Sequence, residues 1–207
     1  MKQWKETKTN NLYRTVNTVN KKGCVIMPLP KNRTYTIEDI YSLPEDERAE
    51  LIDGKIYYMA PPNTRHQRLS MHLSAQILNH IQKNNGSCEV FPAPFAVYLD
   101  ESSNTYVEPD ISVVCDPNKI NDRGCKGAPD WIIEIISPSS RRMDYYTKLF
   151  KYRMTGVREY WIVDPDKNRI LIYNFETEDT GDYTFSDTVK AGIYENLYID
   201  FSQLNLK

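Results

Sequence analysis

The chain lacks any long apolar run. No stretch approaches the ~18 consecutive apolar residues of a membrane-spanning helix. Its first residues, Met1–Glu6, are polar where a secretory signal peptide would be apolar. We therefore expect a cytoplasmic protein. The composition favours a folded domain, since 40% hydrophobic and 26% charged residues are typical of soluble globular chains.

Cysteine and histidine are both scarce. The four cysteines, Cys24, Cys88, Cys115 and Cys125, include no C-x-x-C pair. The three histidines form no cluster that would complete a zinc site. These patterns exclude the common structural zinc motifs. We interpret the cysteines as free thiols in a reducing compartment.

Excess charge of either sign is also absent. A net charge of −2 argues against tight, non-specific binding of nucleic acid over the whole surface, but it allows a local basic groove. The 207 residues suffice for one sizeable domain with a core. Residues 1–33 are rich in Asn, Thr and Lys, and we expect an extended or poorly ordered N-terminal arm there. The domain itself is expected over residues 34–207.

The pattern of residues within 34–207 predicts alternating strands and helices. The predicted elements are a short helix between Thr36 and Pro44, a hairpin over 50–59 that turns at Asp53-Gly54, a helix from Asn63 or Thr64 to Lys83, strands over 88–91, 95–99 and 106–114, a polar loop over 118–129, a strand over 130–137, a helix from Pro138 to Gly156, and strands over 160–163, 170–175 and in the tail. This order favours one α/β or α+β domain with a mixed sheet flanked by helices.

A glutamate inside an apolar strand is the most informative residue. The segment 131–137 reads Trp-Ile-Ile-Glu-Ile-Ile-Ser, and its lack of alternation indicates a strand covered on both faces. A buried charge there costs roughly several kcal/mol unless a partner compensates it. Glu134 is therefore a candidate metal ligand. The alternative is a structural carboxylate satisfied by an arginine or a tyrosine.

A second carboxylate, Asp110, is placed where it could meet Glu134. Period-two counting divides its predicted strand into two faces, with Glu108, Asp110 and Ser112 on one and Val107, Ile111 and Val113 on the other. Taken alone, Asp110 is better explained as an ordinary strand-end aspartate. One loop separates the two strands, however, and two adjacent carboxylates repel each other unless a proton or cation lies between them. Oxygen ligation favours Mg²⁺ or Mn²⁺, which can polarise a phosphoryl oxygen and generate hydroxide from water.

The helix that follows Glu134 adds cations. Asp144, Lys148 and Tyr152 are four residues apart and therefore share one face. Arg141 and Arg142 lie in the first turn, where positive charge opposes the helix dipole, so they are candidates for contact with a phosphate backbone. The alternative for Asp144 and Lys148 is an exposed ion pair that contributes little.

Several motifs, in this order, resemble those of one family. They are Glu50-Leu51-Ile52-Asp53-Gly54, Pro109-Asp110, Glu134-Ile135-Ile136-Ser137-Pro138-Ser139, Asp144-x-x-x-Lys148-x-x-x-Tyr152 and the segment 156–165. From about Thr34 to Tyr198 the chain is similar to the Uma-two family of restriction endonucleases, which belongs to the PD-(D/E)-x-K nuclease superfamily. The resemblance implies the restriction-endonuclease-like fold and a metal-dependent endonuclease that hydrolyses DNA with Mg²⁺ or Mn²⁺.

The resemblance also implies roles for individual residues. Asp110 and Glu134 would hold the metal ion, with the carbonyl of Ile135 and the side chain of Glu50 as further ligands. The superfamily lysine, expected two residues after the glutamate, is replaced by Ile136. In this family the lysine comes from the following helix, at the position that Lys148 matches.

Two further expectations concern binding. His66 matches a position that is often histidine in the family, and it either touches the nucleic acid or makes a local hydrogen bond. The isoleucine at 136 and the near-neutral charge support an alternative function, a nuclease-fold protein with weak or no catalysis that binds nucleic acid or protein. A homodimer would supply two symmetric sites suited to double-strand cleavage.

Overall fold

The structure is a computed structural model that describes residues 33–100, 104–202 and 204, together with the backbone of 18–19 and 25–26. The chain divides into two compact units, Met1–Arg33 and Thr34–Lys207. In the first unit, strands β1 (Thr18–Val19) and β2 (Val25–Ile26) pair antiparallel. The arm expected over residues 1–33 otherwise lies outside the described residues.

The second unit alternates strands and helices. Its helical elements are α1 (Ile37–Tyr41), α2 (Thr64–Lys83), a 3-10 turn (Pro117–Lys119), a π-helical turn (Met143–Lys148) and α3 (Leu149–Thr155). Its strands are β3 (Ala49–Ile52), β4 (Lys55–Tyr58), β5 (Glu89–Pro92), β6 (Val97–Tyr98), β7 (Tyr106–Val107), β8 (Ile111–Val114), β9 (Ile120–Asn121), β10 (Gly124–Lys126), β11 (Trp131–Ile135), β12 (Glu159–Asp164), β13 (Arg169–Asn174), β14 (Asp179–Tyr183), β15 (Thr188–Lys190) and β16 (Tyr198–Asp200). None of the helices in the described part of the chain is long and apolar enough to cross a membrane.

Two six-stranded sheets form most of this unit. Their strand orders are β4-β3-β7-β6-β10-β9 and β14-β13-β12-β11-β8-β5. In the second sheet β11 pairs parallel with β12 and antiparallel with β8, and the π-turn and α3 provide the crossover between the parallel strands. The mixed sheet with flanking helices confirms the predicted fold class. The predicted polar loop over 118–129 also contains the short pair β9–β10.

Strand β11 is covered on both faces. Its odd-numbered residues pack in a core that includes the apolar face of α2. Ile132, and Ile136 just beyond the strand, pack in a second core with Tyr152 of α3. All five residues of the strand are buried, as the absence of alternation predicted. Because side chains alternate along a strand, Glu134 points to the same side as Ile132, towards α3.

The local signals for the first hairpin and the long helix are confirmed. Asp53 and Gly54 have φ values of 51° and 71°, the left-handed conformations of a tight hairpin turn. The Oδ1 atom of Asn63 accepts a hydrogen bond from the backbone N–H of His66 at 2.9 Å, which caps α2. The caps and turns were readable because each depends on a few neighbouring residues.

The strand predicted over 106–114 is in fact two strands. β7 belongs to the first sheet and β8 to the second, with Glu108-Pro109-Asp110 crossing between them. Pro109 cannot donate a ladder hydrogen bond, so pairing is interrupted there. The prediction that Val107 shares a face with Ile111 and Val113 is therefore wrong, since Val107 packs in the α3-side core and the other two pack in the α2-side core.

Two of the cysteines are bonded to each other. Cys88 and Cys115 form a disulfide across the ends of β5 and β8, whose register places them opposite each other. The free-thiol interpretation is wrong for this pair and correct for the buried Cys125, while Cys24 lies outside the described residues. The pairing was not readable from the sequence because 27 positions separate the two cysteines. The cysteine pattern therefore no longer supports a reducing compartment.

Candidate active site

The four residues predicted to be catalytic lie in one cluster. Glu50 comes from β3, Asp110 from the position just before β8, Glu134 from β11 and Lys148 from the π-turn. Glu50, Glu134 and Lys148 are buried, and the side chain of Asp110 is 16% exposed. The cluster therefore joins elements from both sheets and from the crossover helix.

Asp110 and Glu134 are adjacent through reciprocal main-chain contacts. The N–H of Ile135 donates to Oδ2 of Asp110 at 2.7 Å, and the N–H of Asp110 approaches Oε2 of Glu134 at 3.4 Å. The antiparallel pairing of β8 with β11 creates this arrangement, because the register aligns Ile111 with Ile133. The two carboxylates thus meet on neighbouring strands, as the single loop between them predicted.

Lys148 is enclosed by carboxylates. Its Nζ atom donates to Oε1 of Glu50 at 2.8 Å and to Oε1 of Glu134 at 2.9 Å. It also lies 3.5 Å from Oδ1 of Asp144. Asp144 is only 1% exposed, so the alternative of an exposed surface pair is wrong for Asp144 and Lys148.

The π-helical turn helps to align the side chains of this helix. Lys148 ends the π-turn, and Tyr152 follows four residues later in α3. A π-turn holds more residues than an α-turn. A four-residue step therefore falls short of a full turn in the π-turn and exceeds a full turn in α3. The two deviations offset each other, and Asp144, Lys148 and Tyr152 all face the cluster. The hydroxyl of Tyr152 donates to Oε1 of Glu134 at 2.7 Å.

The cluster contains more negative than positive charge. Burial raises the pKa of Glu134 well above the usual value of a carboxyl, against the attraction of Lys148, and Asp144, Asp110 and Glu50 raise it further. Burial likewise raises the pKa of Asp144 to about 6, opposed by Lys148. Burial opposes the charge of Lys148, but the carboxylates around it raise its pKa well above the ordinary value. This excess of negative charge favours either protonated carboxyl groups or a bound cation.

His66 lies at the edge of the cluster. Its Nε2 atom is 3.1 Å from Oδ2 of Asp110, and both side chains are largely buried. Burial lowers the pKa of this imidazole, but the hydrogen bond and attraction from Asp110, with help from the backbone of Ile135, raise it above the ordinary value. The hydrogen bond of His66 is therefore not confined to its own helix, because its partner Asp110 is 44 residues away, next to another element. Its contact with nucleic acid stays a prediction.

The two arginines predicted to bind nucleic acid differ in their surroundings. The Arg141 guanidinium is paired with Asp164 and Asp166 at the end of β12. Arg142 is exposed, and within the described ranges no hydrogen bond or ion pair engages it. Only Arg142 is thus available for a phosphate without first breaking an ion pair.

The residues present suit a divalent metal ion. Asp110, Glu134 and the carbonyl of Ile135 offer oxygen donors, which Mg²⁺ and Mn²⁺ prefer. No three His, Cys, Asp or Glu side chains of the described residues form a group that could hold a metal. A magnesium site, however, needs only one or two carboxylates, since water completes its shell. The excess negative charge also fits a cation nearby. So does the buried Oδ1 atom of Asp144, which among the described residues has an ion pair with Lys148 but no hydrogen-bond partner.

The sequence did not predict the contacts that two residues of the cluster, Asp144 and Glu108, make in the structure. Asp144 was recognised by spacing, but its burial beside Lys148 was not. The N–H of Glu108 donates to Oε1 of Glu50 at 3.0 Å, which ties the strand crossing at Pro109 to the cluster. The four-residue spacing in the helix was the available signal for Asp144, whereas no local signal pointed to the contact of Glu108.

A comparison with models of protein families identifies a family. A family model for Uma2, described as "Putative restriction endonuclease", matches residues 37–196. Two uncharacterised proteins of Synechocystis sp. are similar. One, slr1290, is 29% identical over 66% of this chain and 70% of its own length, and the other, sll1609, is 28% identical over 77% and 87%.

A solved structure shares the fold. It is the crystal structure of a "putative nuclease belonging to DUF820" from Anabaena variabilis, with a TM-score of 0.66 and 22% identity over 81% of this chain and 95% of that one. At this identity the likeness concerns the fold. Taken with the family match over residues 37–196, the motifs and the clustered carboxylates, it leads to one conclusion, that the chain belongs to the Uma2 family of restriction-endonuclease-like proteins.

Proposed function

We propose that the chain is an endonuclease that hydrolyses phosphodiester bonds of DNA with the help of Mg²⁺ or Mn²⁺. One observation carries the proposal, the convergence of Glu50, Glu134 and Asp144 around the single ammonium of Lys148, with Asp110 beside Glu134. Such a buried excess of negative charge is costly unless a cation compensates it. Family membership and the shared fold support the same chemistry.

In this proposal, each residue of the cluster has a distinct role. Asp110, Glu134 and the carbonyl of Ile135 hold the ion, and Glu50 assists directly or through water. A divalent ion there supplies stabilisation of phosphoryl charge and acidifies water. Tyr152 orients Glu134 through its hydrogen bond. Lys148 provides a positioned positive charge for the phosphate in the transition state.

The decisive experiment measures metal-dependent cleavage of plasmid DNA. Glu134→Gln keeps the shape of the side chain and removes its charge, so we expect cleavage to be lost. Glu159→Gln is the matched control, because Glu159 is a buried carboxylate of the neighbouring strand whose partners are Trp161 and Ile193. Circular dichroism establishes that both variants fold. Equal cleavage by the wild type and Glu134→Gln would refute the proposal.

The role of Lys148 is tested separately. Lys148→Met removes one preorganised cation and should lower kcat by roughly 10²–10³-fold, the range seen when a single stabilising group is removed. Lys151→Met is the control, since Lys151 lies on the same helix but pairs with Asp53 outside the cluster. A Lys148→Met enzyme with normal kcat would assign the charge stabilisation to another group.

A binding protein without catalysis is the second candidate. It is favoured by the pairing of the Lys148 ammonium with Glu50 and Glu134, and by Ile136 at the position of the superfamily lysine. Calorimetry with Mn²⁺ separates the two. Binding that is present in the wild type and absent in Asp110→Asn supports the nuclease, whereas no binding and no cleavage support the second candidate.

The proposal also includes two copies of the chain acting on one duplex. DNA has two strands, and a homodimer with two-fold symmetry presents one site to each. Arg142 and His66 would contact the nucleic acid near each site. A wild-type protein that is monomeric at micromolar concentrations in light scattering would remove the dimer and leave the nuclease chemistry untouched.

A further inference from the structure

Strand β12 lies beside the cluster without contributing a side chain to it. Its parallel pairing with β11 places Ile162 opposite Glu134. Paired residues of neighbouring strands point to the same side of a sheet, and so do side chains two positions apart. Tyr160 and Asp164 therefore point to the same side as Glu134, one on each side of Ile162. Both are completely buried, and both contact the helix that carries Lys148.

Tyr160 contacts this helix at two places. Its hydroxyl donates to the carbonyl oxygen of Asp144, in the π-turn, at 3.0 Å. Its ring packs edge-to-face on the ring of Tyr152, with 5.0 Å between the centroids. Tyr152 in turn donates to Glu134. One side chain of β12 thus holds the helix both before and after Lys148.

Asp164 holds the start of the same turn. Its Oδ2 atom accepts hydrogen bonds from the Arg141 guanidinium and from the hydroxyl of Tyr145, the latter at 2.9 Å. The backbone N–H of Lys167 donates to Oδ1 at 3.2 Å, which ties the carboxylate to the turn after β12. A buried carboxylate needs such partners, because an unpaired charge in the interior is strongly unfavourable. The two helical partners of Asp164 are therefore held closely in place.

These contacts bear on the position of Lys148 because they occur at the π-turn. Such turns are rare, are found mostly as single turns and often lie at functional sites. An α-helix turns by about 100° per residue, so the loss of the extra residue of the π-turn would rotate the later side chains by a step of that size. The rotation would take the Lys148 ammonium away from Glu50 and Glu134. Tyr160 and Asp164 contact the turn at positions that precede Lys148, where they oppose this change.

We propose that Tyr160 and Asp164 are positioning residues, which hold the π-turn so that Lys148 lies against Glu134. The catalytic effect of the two residues rests on the proposed function, since it is exerted through Lys148. The position of the Lys148 side chain does not depend on catalysis. The two consequences are therefore tested separately.

The first experiment measures the accessibility of Lys148 without any substrate. Acetic anhydride acetylates exposed lysines, and Lys148 is only 4% exposed. Its acetylation is quantified by mass spectrometry against that of the exposed Lys83. We expect this ratio to rise by roughly tenfold or more in the double variant Tyr160→Phe, Asp164→Asn, because a helix that has lost its anchors opens more often. Tyr160→Phe alone, which keeps the aromatic ring, should give a smaller rise and is the variant to use if the double variant does not fold.

The matched control is the double variant Tyr194→Phe, Asp130→Asn. Asp130 resembles Asp164 in accepting from an arginine and from a backbone N–H, but it lies beside the opposite end of β12. The hydroxyl of Tyr194 is buried and has no hydrogen-bond partner among the described residues. Circular dichroism establishes that both double variants fold. We expect Lys148 to be as protected in the control as in the wild type.

The second experiment asks whether Tyr160 acts through Lys148. Tyr160→Phe should lower kcat for DNA cleavage by roughly 10- to 100-fold, the effect of a misplaced group. KM and the affinity for Mn²⁺ should stay within about two-fold, because Asp110 and Glu134 do not contact the removed hydroxyl. In the Lys148→Met background the same change should leave kcat unaltered, since residues that act as a unit are not additive.

The outcomes distinguish this inference from the proposed function. Lys148 that stays protected in the Tyr160→Phe, Asp164→Asn variant overturns the inference, and so does a control that is acetylated as strongly. Equal losses of kcat with and without Lys148 overturn it as well. A wild type that cleaves no DNA refutes the proposed function, and the acetylation of Lys148 then decides the positioning role.

Discussion

Glu134 and Lys148 are buried beside each other, and neither charge would be stable there alone. Their contact at 2.9 Å is one of several, since Tyr152 donates to the same oxygen and Glu50 binds the same ammonium. Removing one member of such a network leaves an uncompensated buried group, which typically costs about 3–5 kcal/mol. The network therefore fixes the position of each side chain, but burying its charges lowers the stability of the folded state.

Asp144 should make the unfolding free energy depend measurably on pH. Its pKa rises from 3.8 to about 6, so the folded state holds a proton that the unfolded state has released. The stability contributed by this proton is fully present below 3.8 and is lost as pH rises through about 6. Asp144→Asn should remove that loss, so the unfolding free energy of the variant should gain on the wild type by about 3 kcal/mol across this window.

Urea unfolding at a series of pH values measures the difference. Asp46→Asn is the control, because this exposed carboxylate is in water in both states. Parallel pH profiles for the wild type and Asp144→Asn would show that folding leaves the pKa of this aspartate unchanged and would contradict the prediction.

Gly124 and Gly127 illustrate how backbone conformation and space act separately. Both have positive φ, 129° and 89°, but a Cβ at Gly124 would lie 2.2 Å from the carbonyl oxygen of Ala96, whereas nothing lies within 4 Å at Gly127. Gly127→Ala should cost about 1–2 kcal/mol from backbone strain alone. Gly124→Ala should cost at least about 1 kcal/mol more, because the clash adds to the strain. Thermal unfolding of both variants checks the order, and equal losses would contradict it.

At the scale of the elements, the disulfide fastens the two strands that lead to Asp110. Cys88 and Cys115 close a loop of 27 positions between β5 and β8. Reduction should lower the unfolding free energy by about 3.5 kcal/mol, as expected for a loop of this length. The double variant Cys88→Ser, Cys115→Ser should be less stable than the oxidised wild type, and reductant should not change its unfolding free energy. Four reactive thiols in the unreduced, denatured protein would show that the bond does not form.

The elements also show which parts of the fold were predictable. The turn at Asp53-Gly54, the cap at Asn63 and the end of α3 at Gly156 depend on local conformation, so the sequence indicated them correctly. The crossing at Pro109 was missed although the proline was visible. An alternating pattern continued through it, and only the partner strands determine that β7 and β8 belong to different sheets.

At the scale of the whole molecule, a bound metal ion should stabilise the folded state. An ion that binds the folded state at 100 times its Kd adds about 2.7 kcal/mol to the unfolding free energy. Mn²⁺ should therefore raise the Tm of the wild type by several degrees, and chelation should reverse the rise. Asp110→Asn should show neither effect, and a similar rise in that variant would place the ion elsewhere.

The sequence by itself determined most of the elements, their order and the identity of the two carboxylates on neighbouring strands, because periodicity, caps and turns are local. A charge in an otherwise apolar strand was visible without coordinates. The tertiary structure alone decided that Asp144 is buried beside Lys148, that Arg141 is paired with Asp164 and that Cys88 meets Cys115. Each of these contacts joins residues through the packing of separate elements, and burial, which sets the energies of charges, is a property of the assembled fold.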